Sequence, residues 1–255
     1  MNLLLVEPSE LAPDGTCVLR DRRREHLIRV LDVAVGSKVR AGVIGGRLGS
    51  AEVLAVDPAQ LTLRLALDEP ASTPLPVELI LAMPRPKVLS RVIEIAASFG
   101  VTRIDLTNAW RVDKGYLTSP RLAADALAAA ARLGAEQGAT THLPAIAMHA
   151  RLMDLVDARW PREAPDTSNL KIIAHPKAEA LESIAHAHGA MQGAMDPIVL
   201  AIGPEGGWIQ REVDTFVARG FRAVSLGAPI LRVEAAVAAM LGQILLVRRL
   251  ADRAR

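Results

Sequence analysis

The spacing of apolar residues changes character once along this chain, near residue 75. Before that point, "KVRAGVIGGRLGSAEVLAVDPAQLTLRLAL" (38–67) sets short runs of Val, Ile and Leu between Gly45-Gly46, Gly49 and Asp57-Pro58. Short strands at this spacing predict a small β-barrel or sandwich, with "GVIGGRLG" as a hairpin turn. "LDEPASTPLP" (67–76) then gathers three prolines among small polar residues and reads as a linker. Beyond it the pattern becomes strand, helix, strand: "VELILAM", "PKVLSRVIEIAASFG", "VTRIDL". Val88, Leu89, Val92, Ile93, Ile95 and Ala96 form an apolar face at helical spacing, and Gly100 stands where a helix-ending glycine belongs.

The alternation continues to the end of the chain. "SPRLAADALAAAARLGAEQG" predicts a helix with Ser119 as N-cap and Pro120 at its first position. "LKIIAHP" is followed by a helix through "AEALESIAHAH", the strand "PIVLAIG", a helix over about 209–219 and the strand "AVSLG". The expected fold class is α/β: residues 1–70 as a small β domain, and 75–255 as a domain with a mostly parallel sheet.

In such sheets ligands bind at the carboxyl ends of the strands. Three ends attract notice: Ala174-His175-Pro176, Gly203-Pro204-Glu205-Gly206-Gly207, and the run from Leu226 and Gly227 through Pro229, Ile230 and Leu231 to Arg232. One such turn is often only a tight connection. Three of them ending neighbouring strands point to a pocket built largely of main-chain groups, which glycine permits because it carries no Cβ.

Composition narrows the partners. The 255 residues are 51% hydrophobic, enough for a sizeable core, and only 3% aromatic, so a surface of stacked rings has few residues to draw on. Any RNA binding is therefore expected to use other contacts. Cys17 is the only cysteine, which excludes an intramolecular disulfide and suits a reducing compartment. The N-terminus does not read as a signal peptide, and no apolar run reaches the ~20 residues of a membrane span, so a cytoplasmic protein is expected. Residues 20–47 carry eight basic side chains against three acidic ones, although over 1–70 the excess disappears. Arg22, Arg23, Arg24 and Arg29 within "LRDRRREHLIRVL" are candidates to dock a phosphate backbone, the alternative being a solvated face.

"IGPEGGW" followed by "LGAPILRVEAA" resembles the SPOUT superfamily of methyltransferases, and most closely the family that methylates uridine N3 in small-subunit ribosomal RNA. "REHLIRVLDVAVGSKV" is similar to that family's PUA-like N-terminal segment, and "EQ" at 136–137 with "LPAI" falls where the family has it. The resemblance implies a C-terminal trefoil knot holding S-adenosylmethionine through Ala174, Ile202, Gly203, Pro204, Glu205, Gly206, Leu226, Gly227, Ile230 and Leu231. It implies that Arg232 holds a phosphate or the uracil oxygens, stabilising charge on the target base, and that Glu205 shapes the loop, pairs with Arg232 or acts as base. It also implies a ribosomal RNA partner and a homodimer joined through the apolar helix "LRVEAAVAAMLGQILLVRRL".

The chain departs from that family at Ser98, Thr140, Pro229 and Val233, where polar or charged groups are usual. The departures leave the methylated nucleotide open. They also leave room for two alternatives: an RNA-binding relative with impaired or redirected activity, or a nucleotide-phosphate enzyme using the glycine loop. Glu205 would repel phosphate there. No metal is expected, because His186 and His188, two apart on a helix, point in different directions.

Overall fold

The computed structural model describes residues 1–161, 169–181, 183, 197–227 and 229–253. It is a mixed α/β fold with two sheets. In chain order the elements are β1 (Leu4–Val6), β2 (Thr16–Leu19), α1 (Arg22–Arg29), β3 (Lys38–Val43), β4 (Leu48–Val56), β5 (Leu61–Glu69), β6 (Leu75–Ala82), α2 (Pro86–Ser98) and β7 (Val101–Thr107). There follow α3 (Ala124–Gly138), β8 (Ala145–His149), α4 (Leu152–Arg159), β9 (Lys171–Ala180), β10 (Ile198–Ile202), α5 (Gln210–Val217), β11 (Arg222–Ser225) and α6 (Val233–Arg253).

The first sheet has the order β1-β3-β4-β5-β2 and is antiparallel except for the β1–β3 pair. Its core gathers Leu4, Val6, Leu19, Leu27, Leu61 and Leu63. The hairpin expected at 42–49 joins β3 to β4, with Gly45 at φ 68°. The second sheet, β11-β9-β10-β6-β7-β8, is parallel throughout. Its inner strands are buried on both faces, which is why "IVLAI" reads as one apolar run: all five of its residues are buried. The connection between the sheets is shorter than the proline-rich stretch implies, since β5 continues to Glu69 and β6 begins at Leu75.

Several expectations shift in detail. Ser119 caps a single 3-10 turn, Pro120–Leu122, and α3 starts after it without a side-chain cap. Residues 178–180 are strand rather than helix, because β9 extends to Ala180. Residues 182 and 184–188 of that expected helix, with His186 and His188, lie outside the described residues. The edge strand β8 and the short helix α4 are additions to the sequence reading.

The two helices α2 and α3 approach until their backbones meet. A Cβ on Gly134 would fall 2.1 Å from the Glu94 carbonyl oxygen, and one on Gly138 would fall 2.2 Å from that of Ser98. Elsewhere the scarce aromatics form a row. Trp160 meets Phe221 at 5.0 Å between centroids, Phe221 meets Phe216 at 4.8 Å, and Phe216 meets Trp208 at 5.3 Å, all edge-on. That row links the end of α4, through α5, to the turn after β10.

Candidate functional site

The three turns singled out from the sequence belong to β9, β10 and β11, which are adjacent in the sheet and parallel; Ala174-His175-Pro176 is corrected from a strand end to an irregularity within β9, which finishes at Ala180 beside Ser225, the last residue of β11. β9 leaves register with β11 there: Ile173 pairs Ala223 and Glu179 pairs the very next residue, Val224. The five residues 174–178 thus form an excursion. Ser225 ties it to the β11 loop, donating from Oγ to the Pro176 carbonyl at 3.1 Å and accepting from the Gly227 amide at 3.0 Å. Ala174 and Leu226 are half-buried against the core. Gly227 has φ 98°, a left-handed conformation that favours glycine, with open space where a Cβ would point. Ala228 lies outside the described residues.

The Gly203–Gly207 turn is held from both sides. Gly203 lies under the Trp208 indole, so that a Cβ there would come within 3.2 Å of the ring. Pro204 is buried, and its carbonyl accepts from the Gly207 amide at 2.8 Å, closing a turn in which Gly207 takes φ 70°. Glu205 is exposed, and its Oε1 accepts from the Arg85 amide at 2.9 Å. Arg85 is the N-cap residue of α2, so the carboxylate satisfies main chain and faces the positive end of that helix. Of the roles considered for Glu205, shaping the loop is the one with a contact. Its pairing with Arg232 is not among the ion pairs of the described residues.

Two further loops converge here that the sequence reading passed over. After β7, Arg111 lies across Gly206 and donates from Nη1 to its carbonyl at 2.5 Å. The neighbouring Trp110 amide donates to Glu212 Oε1 at 2.8 Å, while Glu212 Oε2 accepts from the Ile209 amide at 3.0 Å. The available signal was positional: β6 adjoins β10 and β7 follows β6 in the same parallel sheet, so the segments after them leave at the edge that carries the glycine turn.

Arg232 precedes α6 and accepts from the Ala236 amide through its carbonyl at 2.8 Å. Its side chain is exposed, and among the described residues it enters no ion pair, including the one with Glu234 that a purely structural role would use. Ile230 and Leu231 are also exposed, Ile230 at 87%.

The N-terminal arginines divide. Arg23 is corrected from a surface residue to an interior one: its guanidinium meets Glu10, Asp21 and the Leu5 carbonyl, leaving the residue 3% exposed and unable to reach a phosphate. Arg22 makes a two-point pair with buried Glu136 on α3, at 2.7 and 2.9 Å. Arg24 donates to the Asp57 and Pro58 carbonyls, both at 2.7 Å. Arg29 stays outward, with one long contact to Glu25 at 3.3 Å.

A separate charged cluster gathers partly exposed side chains around one fully buried carboxylate, that of Asp105. Asp105 on β7 accepts from Arg103 at 2.8 Å through both oxygens and from Arg159 at 2.9 Å, with His149 Nε2 2.8 Å away, and Arg159 also pairs with Glu78. Burial pushes the Asp105 carboxyl up, but the hydrogen bonds from Arg103 and His149 and the charges of Arg103 and Arg159 outweigh it and hold it below the ordinary range. The cluster ties β7 to β8 and α4, away from the glycine turns.

Main-chain loops gathered at the carboxyl edge of a parallel sheet define an α/β domain of the kind that binds ligands at that edge. Comparison with known proteins identifies which one: residues 71–245 match the family described as RNA methyltransferase domain, and the chain belongs to that family. The ribosomal RNA small subunit methyltransferase E of Treponema pallidum is 31% identical over 242 residues, covering 94% of this chain and 88% of the relative. Its namesake from Synechocystis is 27% identical over 250 residues, covering 94% and 76%. A crystal structure of the same methyltransferase from Neisseria gonorrhoeae, bound to S-adenosyl methionine, shares the fold with a TM-score of 0.75 at 23% identity, over 97% of this chain and 98% of that one.

Proposed function

We propose that this protein transfers the methyl group of S-adenosylmethionine to N3 of a uridine in small-subunit ribosomal RNA. The observation that carries this reading is the meeting of the β9, β10 and β11 turns at one sheet edge, in a chain whose curated relatives are named for that RNA. The site suits the cofactor on two counts. Gly227 presents main chain to open space, and the Trp208 indole N–H beside Gly203 is buried without a partner among the described residues, a donor left over for a ligand.

Ala174, Ile202, Gly203, Pro204, Glu205, Gly206, Leu226, Gly227, Ile230 and Leu231 would hold it. When bound, S-adenosylmethionine supplies an electrophilic methyl, so the protein has mainly to orient the reactants. Uracil N3 must lose its proton as it attacks, and the resulting charge spreads onto the flanking carbonyl oxygens. The unpaired Arg232 would stabilise that charge. Glu205, already bonded to the Arg85 amide, acts on the shape of the loop.

The finer architecture belongs to the same proposal: a PUA-like barrel over residues 1–70, a SPOUT domain over 75–255 with a trefoil knot, a cytoplasmic location and a homodimer. No described helix is long and apolar enough to cross a membrane. For the dimer, α6 spends Val237, Met240, Leu241 and Ile244 on its own core yet leaves Leu245, Leu246 and Leu250 exposed, and Ile230 and Leu231 before it are exposed as well. A relative that binds RNA without transfer is the second reading, favoured by Pro229 and Val233. Calorimetry with S-adenosylmethionine and with ATP, paired with tritiated-methyl transfer to unmethylated ribosomal RNA, separates the readings. The proposal expects cofactor binding and transfer; binding of ATP alone, or cofactor binding without transfer, counts against it.

A further inference from the structure

Trp110 is the most exposed large side chain with a ring, at 78%, whereas the other two tryptophans, Trp160 and Trp208, are buried. An indole in water is costly unless something covers it. Its position is not loose: the Trp110 amide is bonded to Glu212, and Arg111 beside it grips the Gly206 carbonyl, so both neighbours are fastened to the glycine turn after β10. Cations stand on the two segments fastened to that turn, through the Arg85 amide to Glu205 and through Arg111 to Gly206. Arg85, Lys87, Arg111 and Lys114 are exposed, and none of them enters an ion pair among the described residues, in contrast to Arg22, Arg23 and Arg29 of the N-terminal segment.

Resting on the function proposed above, we infer that Trp110 is a stacking platform for an unstacked base of the substrate RNA, with Arg85, Lys87, Arg111 and Lys114 meeting its phosphates. A flat ring fixed next to the cofactor turn and flanked by unpaired cations matches what a single RNA strand offers, a π face on each base and a charge on each link. A second copy of this chain would bring the same cations against themselves, which disfavours it as the cover. The scarcity of aromatics in the chain is compatible with this, since one ring suffices when it is held in place.

The test reads tryptophan emission and kinetics together, using the full-length chain. A short oligouridylate added to the wild type should quench the exposed tryptophan, and the same addition to Trp110→Phe should change the emission little. In methyl transfer to small-subunit ribosomal RNA, Trp110→Ala should raise KM for RNA about tenfold or more, the scale of one lost base stack, with cofactor affinity unchanged. Trp110→Phe, which keeps a ring, should recover most of that loss. Equal quenching in wild type and Trp110→Phe, or an unchanged KM in Trp110→Ala, overturns the inference. So does a shift of Trp110→Ala to a smaller species in sedimentation, which would assign the ring to a subunit contact. Absence of transfer in the wild type would instead strike the proposed function, and the quenching would still decide the platform.

Discussion

At Arg232 the guanidinium is exposed and unpaired among the described residues, while the neighbouring turn is built of main chain. The charge stabilisation and the cofactor holding proposed above thus fall on different atoms. Arg232→Ala is expected to leave S-adenosylmethionine affinity within a few-fold and to lower methyl transfer by roughly two orders of magnitude, as loss of one charge-stabilising group does. Gly203→Val is expected to behave oppositely. Its Cβ would press on Trp208 at 3.2 Å, so cofactor affinity should fall together with stability, by about 1–3 kcal/mol in denaturant titration. Asp105 supplies a pH test. Its carboxyl is held below the ordinary 3.8, so its stabilising share is present above that value and is lost as pH falls through the lower, folded one. Asp105→Asn should cost about 3 kcal/mol at pH 7 by leaving Arg103 and Arg159 without their partner, and the gap to wild type in urea unfolding should narrow under acid conditions. A gap constant across that range would show that the carboxylate is not held as described.

At the scale of elements, what could be read from the sequence depended on whether burial alone decided it. β10 was legible because both its faces are covered, and α2 because its apolar spacing and Gly100, at φ 74°, agree. The edge strand β8 was passed over: its run Ala145-Ile146-Ala147-Met148 is apolar but short, and none of its residues is buried, so burial did not decide it. Arg23 misled for the opposite reason, since an arginine run reads as surface and only the fold brings Glu10 and the Leu5 carbonyl to it. Likewise the strand ends were found from their glycines, but the Arg85, Trp110 and Arg111 contacts needed the strand order, which no local pattern carries. Helix glycines ordinarily cost stability, yet Gly134 and Gly138 allow α3 to touch α2. Gly134→Ala should therefore destabilise the protein by about 1–3 kcal/mol or more, despite alanine's higher helix propensity. A stabilised variant in thermal unfolding would contradict that close approach.

Across the whole molecule, the two sheets are joined by polar and apolar contacts at once. Arg22 pairs with Glu136, Arg132 with Glu7, and the Asn2 and Leu3 amides donate to the Glu136 carbonyl at 3.1 and 3.0 Å. Leu3, Leu5, Leu48 and Ala135 close a small core between them. The N-terminal part is thereby fixed to α3, so an RNA held by it under the proposed function would reach the second sheet in a set orientation. If α6 is a subunit contact, the wild type should sediment as a dimer at micromolar concentration, and Leu246→Glu with Leu250→Glu should yield monomers. The most direct measurement of the central claim is to treat small-subunit ribosomal RNA from cells lacking this gene with the purified protein and S-adenosylmethionine, digest it to nucleosides and identify the product by mass spectrometry. The account predicts that N3-methyluridine appears, at one position, only when protein and cofactor are both present. Methylation confined to another base or to ribose, or none at all, would contradict it.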